Sequence, residues 1–198
     1  MNFQRTDLYG GAITAQIPSD LIDASKFRQI PDTQEVYVCR DSTILNQNDA
    51  LIIDLMERAD VKDSDALRYH LKEICRLNGV EKDDSVILEE AHDLKVVNLP
   101  DSYCGIVTSG ENVKKWGRDD VHLVLILAIV RILRVKTDLL ISYNVPFHKP
   151  EEIEDLKKML SGNNSTAGKA KQRIDVGKRV VAKVLDSLKI ENWALFKN

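Results

Sequence analysis

Two apolar segments limit the fold more than anything else in this chain: VHLVLILAIVRIL at 121–133 and TDLLISYNV at 137–145, joined through Arg134–Lys136. The first is rich in β-branched residues, and its length falls short of the ~20 residues a membrane-spanning helix needs. A single long helix could also carry it, but the β-branched content and the short join favour two antiparallel strands. Neither segment alternates cleanly between apolar and polar, which is the pattern of strands covered on both faces. The rest of the chain must therefore supply two covering layers.

The remaining segments offer candidates. GGAITAQIP (10–18) and QEVYVCR (34–40) read as strands, as do SVILEEA (85–91) and SYCGIVTSGENV (102–113). Leu51, Ile52, Leu55, Met56 and Ala59 follow helical spacing, with Asn48 or Asp49 available as N-cap. A second helix is predicted over about 64–78, with Leu67, Leu71, Ile74 and Cys75 as its apolar stripe and Gly79 closing it. A final helix is predicted over about 167–189, where Gly177 would allow close approach to a sheet. Residues 147–166, with Pro146 and Pro150 near their start, a short helical patch EEIEDLKKML and then SGNNST, read as a surface excursion. The expected fold is α/β of the α+β type: a three-layer α/β/α sandwich with a mostly antiparallel sheet, in one domain over 1–198.

Composition excludes several classes. Apolar residues make up 43% of the chain, too many for intrinsic disorder. Cys39, Cys75 and Cys104 form no CxxC pair, and His70, His92, His122 and His148 form no metal-binding spacing. The N-terminus shows no apolar signal core, so a soluble intracellular protein without membrane attachment is expected. P-loop, GxGxxG and GxSxG motifs are missing, and no cofactor is expected.

Charge is unevenly spread. Residues 1–110 hold 20 acids against 11 bases, whereas 111–198 hold 11 acids against 17 bases. The last helix carries Lys169, Lys171, Arg173, Lys178, Arg179, Lys183 and Lys189. Without aromatic residues interleaved for base stacking, this reads as a solvated face, and no nucleic-acid partner is expected. The acidic half contains a denser patch, PSDLIDASKFRQIPDTQEVYV (18–38), with Asp20, Asp23, Asp32 and Glu35. Asp32 and Glu35, spaced i,i+3, can lie on one side of a single turn and offer a docking point to a cationic surface. A bland reading fits equally: Asp32 caps a turn and Glu35 is solvated.

LYGGA (8–12), IDAS (22–25), FR (27–28) and above all IPDTQEVYV (30–38) resemble the Ran guanine nucleotide release factor family. Further echoes are ALRYH (66–70), KWG (115–117) and TDLLISYNVP (137–146). The resemblance implies a sandwich similar to the PsbP protein of photosystem II. It also implies a monomeric binding protein, not an enzyme, that engages the GTPase Ran and promotes release of its nucleotide in nuclear import, in nucleus and cytoplasm. The family's acidic pair falls on Asp32 and Glu35. Arg28 and Gln34 match the same motif and, with Asp23, complete the expected partner-binding set. Joint action with a further Ran-binding protein stays open, as do two other readings: a binding module of the same fold with a different partner, and an unrecognised hydrolase or metal enzyme.

Overall fold

A computed structural model describes residues 1–40, 42–80, 85–113, 121–161 and 168–197. Its strands are β1 (Phe3–Leu8), β2 (Ile13–Pro18), β3 (Leu21–Asp23), β4 (Gln34–Cys39), β5 (Ala50–Glu57), β6 (Ser85–Ala91), β7 (Tyr103–Val113), β8 (Val121–Ile132), β9 (Thr137–Phe147) and β10 (Lys189–Ile190). Its helices are α1 (Asp63–Leu77), α2 (Pro150–Leu160) and α3 (Lys169–Ser187). Seven strands form one antiparallel sheet in the order β3-β4-β5-β9-β8-β7-β6, and β1, β2 and β10 form a second, smaller one.

The apolar segments occupy the middle of the large sheet, as their sequence requires. Along β8, Val124, Ile126, Ala128 and Val130 enter a core built against α3, and Leu125, Leu127 and Ile129 enter another built against α1. The small sheet adds Leu8, Ile13, Ala15 and Ile17 to the α3 side. The result is the expected α/β/α sandwich, with helices on both faces of a mainly antiparallel sheet. The expected helix over about 64–78 is α1. It ends in a Schellman arrangement: Gly79 sits at φ +69°, its N–H donates to Arg76 O, and the Val80 N–H donates to Cys75 O at 3.0 Å.

Gly177 of α3 shows why the helix can lie so close to the sheet. A Cβ there would sit 2.6 Å from Ile126 Cδ1 and 2.9 Å from Tyr143 Cδ1. Overpacking of this kind costs about 1–3 kcal/mol, against roughly 1 kcal/mol that alanine regains in helix propensity. Gly177→Ala is therefore expected to lower the thermal midpoint; an unchanged or higher midpoint would show that the Tyr143 ring moves aside freely.

One expected helix is a strand instead. Residues 50–57 form β5, paired with β4 on one side and β9 on the other. Leu51 and Ile53 enter the α3-side core while Ile52 faces the opposite side, so the run is apolar on both faces and mimics helical spacing. The residues proposed to cap that helix take other roles: Asn48 adopts φ +72° in the turn before β5, and Asp49 is buried. Three short strands, β1, β3 and β10, were not expected either. The helical patch of 147–166 is more firmly built in than an excursion: it forms α2, whose Leu156 and Glu152 are buried where it packs with α3. KWG (115–117) and the SGNNST stretch from Gly162 to Thr166 lie outside the described residues.

Two buried ion networks tie these layers together. Arg131, at zero exposure near the end of β8, donates from Nε to Asp138 Oδ1 at 2.9 Å and from Nη1 to Val61 O and Asp63 Oδ1. Asp138 Oδ2 in turn meets His70 Nε2 of α1 at 2.8 Å and accepts the Ala59 N–H at 3.0 Å. The β5–α1 connection is thus clamped to the sheet. In the second network, Arg173 of α3 bridges Asp49 Oδ1 and Glu152 Oε2, both at 2.9 Å, with its guanidinium 4.6 Å from the centre of the Phe147 ring. This corrects the reading of the last helix as a solvated basic face at one position: the Arg173 side chain is 9% exposed and is paired with α2 and with the turn before β5.

Candidate functional site

The motif residues lie at one edge of the large sheet, where β3 turns back into β4. Asp23, the last residue of β3, accepts the Ser25 N–H at 2.8 Å and so caps a short 3-10 turn over Ala24–Lys26. The N–H groups of Phe27 and Arg28 then both donate to Ala24 O, at 3.0 and 3.1 Å. Further on, the Gln34 N–H donates to Pro31 O at 2.9 Å, closing a β-turn with Asp32 and Thr33 at its central positions. Leu55 N–H fixes this turn to β5 by donating to Thr33 O. Asp32 is exposed at its tip, and Arg28 is also exposed.

Glu35 differs from its expected partner. It lies past the turn, in β4, and is half-buried beneath the turn that joins β1 to β2. Its Oε1 accepts the Tyr9 N–H, and its Oε2 accepts the Tyr37 hydroxyl at 3.4 Å. Burial pushes its carboxyl above the usual range; the Tyr9 N–H and Tyr37 hydroxyl oppose that and the Asp23 charge adds to it. Asp32 and Glu35 are therefore not two equivalent acids on one side of a turn. One projects into solvent and the other holds a loop. The loop needs holding: Tyr9, Gly10 and Gly11 all have positive φ, at 49°, 64° and 87°. The two glycines meet this without a Cβ penalty, and Tyr9 is kept there by Glu35 and by its own hydroxyl, which donates to Ile53 O at 2.9 Å.

Gln34, on the opposite face of β4, is aligned with Asp54 of β5 and donates to its carboxylate. Asp54 is raised by burial, an effect this hydrogen bond opposes, and its Oδ1 has no hydrogen-bond partner among the described residues. Of the five expected residues, the structure couples Asp23 with Glu35, leaves Asp32 and Arg28 exposed on the connection, and turns Gln34 away to Asp54. The sequence reading missed Tyr9, Tyr37 and Asp54. LYGGA carried the signal for Tyr9, since a residue forced to positive φ beside two glycines needs tethering.

Buried polar chemistry also exists away from this edge. Glu111 of β7 accepts the Cys75 thiol at 3.1 Å; burial pushes its carboxyl up to about 7. Burial, then the Glu111 charge, pushes the Cys75 thiol up to about 12, and burial does the same to Cys104. Both thiols are protonated at neutral pH, the opposite of what a nucleophile needs.

A family model described as Ran-interacting Mog1 protein matches residues 6–146. The chain belongs to the Mog1 family. The matched stretch takes in the Tyr9–Gly11 turn, the β3–β4 connection and nearly all of the large sheet. Nuclear import protein MOG1 of Saccharomyces cerevisiae is 37% identical over 169 residues, which cover 81% of this chain and 74% of that protein. The human Ran guanine nucleotide release factor is 30% identical over 145 residues, covering 70% and 74%. A crystal structure of the S. cerevisiae Ran-binding protein Mog1p superposes with a TM-score of 0.77 at 31% identity, over 99% of each chain. The Mog1 architecture thus extends through α2 and α3, which the family match leaves out.

Proposed function

We propose that this chain binds the GTPase Ran and promotes release of its bound guanine nucleotide, in support of nuclear protein import. The observation that carries the reading is Asp32, held at the exposed tip of a hydrogen-bonded turn within the Mog1 family match. A carboxylate so placed is free to meet a cationic surface of Ran. Acceleration follows from differential binding: a protein that prefers nucleotide-poor Ran shifts Ran toward that state, and no covalent step is needed. The chain acts as a regulator by binding, and it works in nucleus and cytoplasm, where Ran-dependent import takes place. Asp23 and Gln34 shape the edge from within, Glu35 supports it through Tyr9, and Arg28 lines its exposed side.

The test is release of labelled GDP or GTP from Ran, alongside direct affinity measurements. Asp32→Lys is expected to weaken Ran binding by about tenfold or more, roughly 1.4 kcal/mol, with a slower association rate and an unchanged thermal midpoint. Glu35→Gln, which keeps an acceptor for the Tyr9 N–H, is expected to bind better than Glu35→Ala, which loses it and about 1 kcal/mol of stability. An Asp32→Lys variant that binds Ran and releases nucleotide as the parent does would sink the assignment.

A further inference from the structure

Phe27 is the most exposed aromatic side chain among the described residues, at 60%. A single exposed apolar residue is ordinary on a protein surface, so exposure alone says little. Its backbone is what sets it apart. Asp23 caps the turn that leads to it, and two N–H groups, its own and that of Arg28, converge on Ala24 O. The segment is thus fixed while the ring stands in solvent. Arg40, at the far end of β4, places its guanidinium 5.4 Å from the ring centre, which limits the directions the ring can take. A large apolar group presented on a fixed backbone loses little conformational freedom on binding, which is the property of an interface anchor.

Its position names the occupant. Phe27 and the exposed Asp32 belong to the same β3–β4 connection, so one exposed segment offers both an apolar anchor and a carboxylate. We propose that Phe27 is the apolar anchor of the Ran-docking surface, inserting into a depression on Ran that is flanked by cationic groups. This rests on the docking role proposed for Asp32. The two residues divide the work by their chemistry: the carboxylate governs encounter and salt sensitivity, and the buried ring governs dissociation.

The experiment measures association and dissociation of Ran at low and high salt for Phe27→Ala, Phe27→Leu and Asp32→Lys. Phe27→Ala is expected to raise Kd about tenfold or more through faster dissociation, equally at both salt concentrations, with no change in thermal midpoint. Phe27→Leu is expected to recover most of that loss, since it restores apolar area without the ring. If Asp32→Lys weakens binding and Phe27→Ala binds as the parent, the anchor is overturned and the docking edge stands. If both variants bind as the parent, the docking edge falls as well. A loss in Phe27→Ala that appears in the association rate and shrinks with salt also overturns the anchor, because it is the behaviour of a charge contact.

Discussion

Replacing Asp138 with asparagine is expected to cost about 3–5 kcal/mol, because it leaves the Arg131 guanidinium buried without its main counter-charge. Both side chains are at zero exposure, so water cannot take over. Asp63 Oδ1 remains 3.0 Å from Arg131 Nη1, but that carboxylate is partly exposed and already meets Arg58. The His70 contact and the tie to the Ala59 N–H are weakened in the same step. The native carboxylate is stabilised: burial disfavours its charge, but the hydrogen bonds from His70, Ala59 and Arg131 outweigh that and hold Asp138 below the usual range. For a domain of this size the loss corresponds to a fall in thermal midpoint on the order of 10 °C. A loss under about 1 kcal/mol in denaturant unfolding would mean that the clamp contributes little. Removing both charges at once, as Arg131→Met with Asp138→Leu, is expected to be less harmful than Asp138→Asn alone.

The second large effect concerns pH. Glu111 has a folded-state value of about 7, against an ordinary value of 4.5. Because the native protein holds the proton more tightly, this carboxyl favours folding below about pH 4.5, and that advantage is lost as pH rises through 7. The loss amounts to about 3 kcal/mol between those limits. Glu111→Gln cannot titrate, so its stability is expected to vary less between pH 5 and pH 8 than that of the parent by about this amount. The slope is the measurement that matters, since the new amide also buries an N–H pair whose own cost is independent of pH. Equal slopes for parent and variant would show that Glu111 titrates as an ordinary carboxyl.

Much of the architecture was legible because local pattern and burial agreed. β8 and β9 are apolar on both sides and joined by a short turn, so their place at the centre of the sheet followed directly. Gly79 and Gly177 were legible too, one from its helix-closing position and one from an apolar stripe that admits no side chain. β5 was not, because Leu51, Ile52, Ile53 and Leu55 put apolar residues on both of its faces, which leaves no alternation to separate it from a helix. The ion networks were illegible for a different reason. Arg173 meets Asp49 across 124 positions, and nothing local to either marks the pairing. Arg131 and Asp138 are a milder case: once the β8–β9 hairpin is drawn they fall opposite each other, which was within reach. At the β3–β4 edge the motif supplied Asp32, but only the fold reveals that Glu35 faces inward to the Tyr9 turn.

The Arg173 bridge bears on how much of this chain can stand alone. The family match ends at residue 146, whereas Asp49, inside it, is neutralised by a side chain 27 residues past that boundary. A polypeptide cut at the boundary would keep every strand of the large sheet and still lose the helix that packs on the apolar side of β8 and β9, leaving the Asp49 carboxylate without its counter-charge. The recognisable motif and the cooperative folding unit are therefore different objects here. A minimal Ran-binding fragment has to carry the last helix, however little of its sequence a Mog1 relative shares.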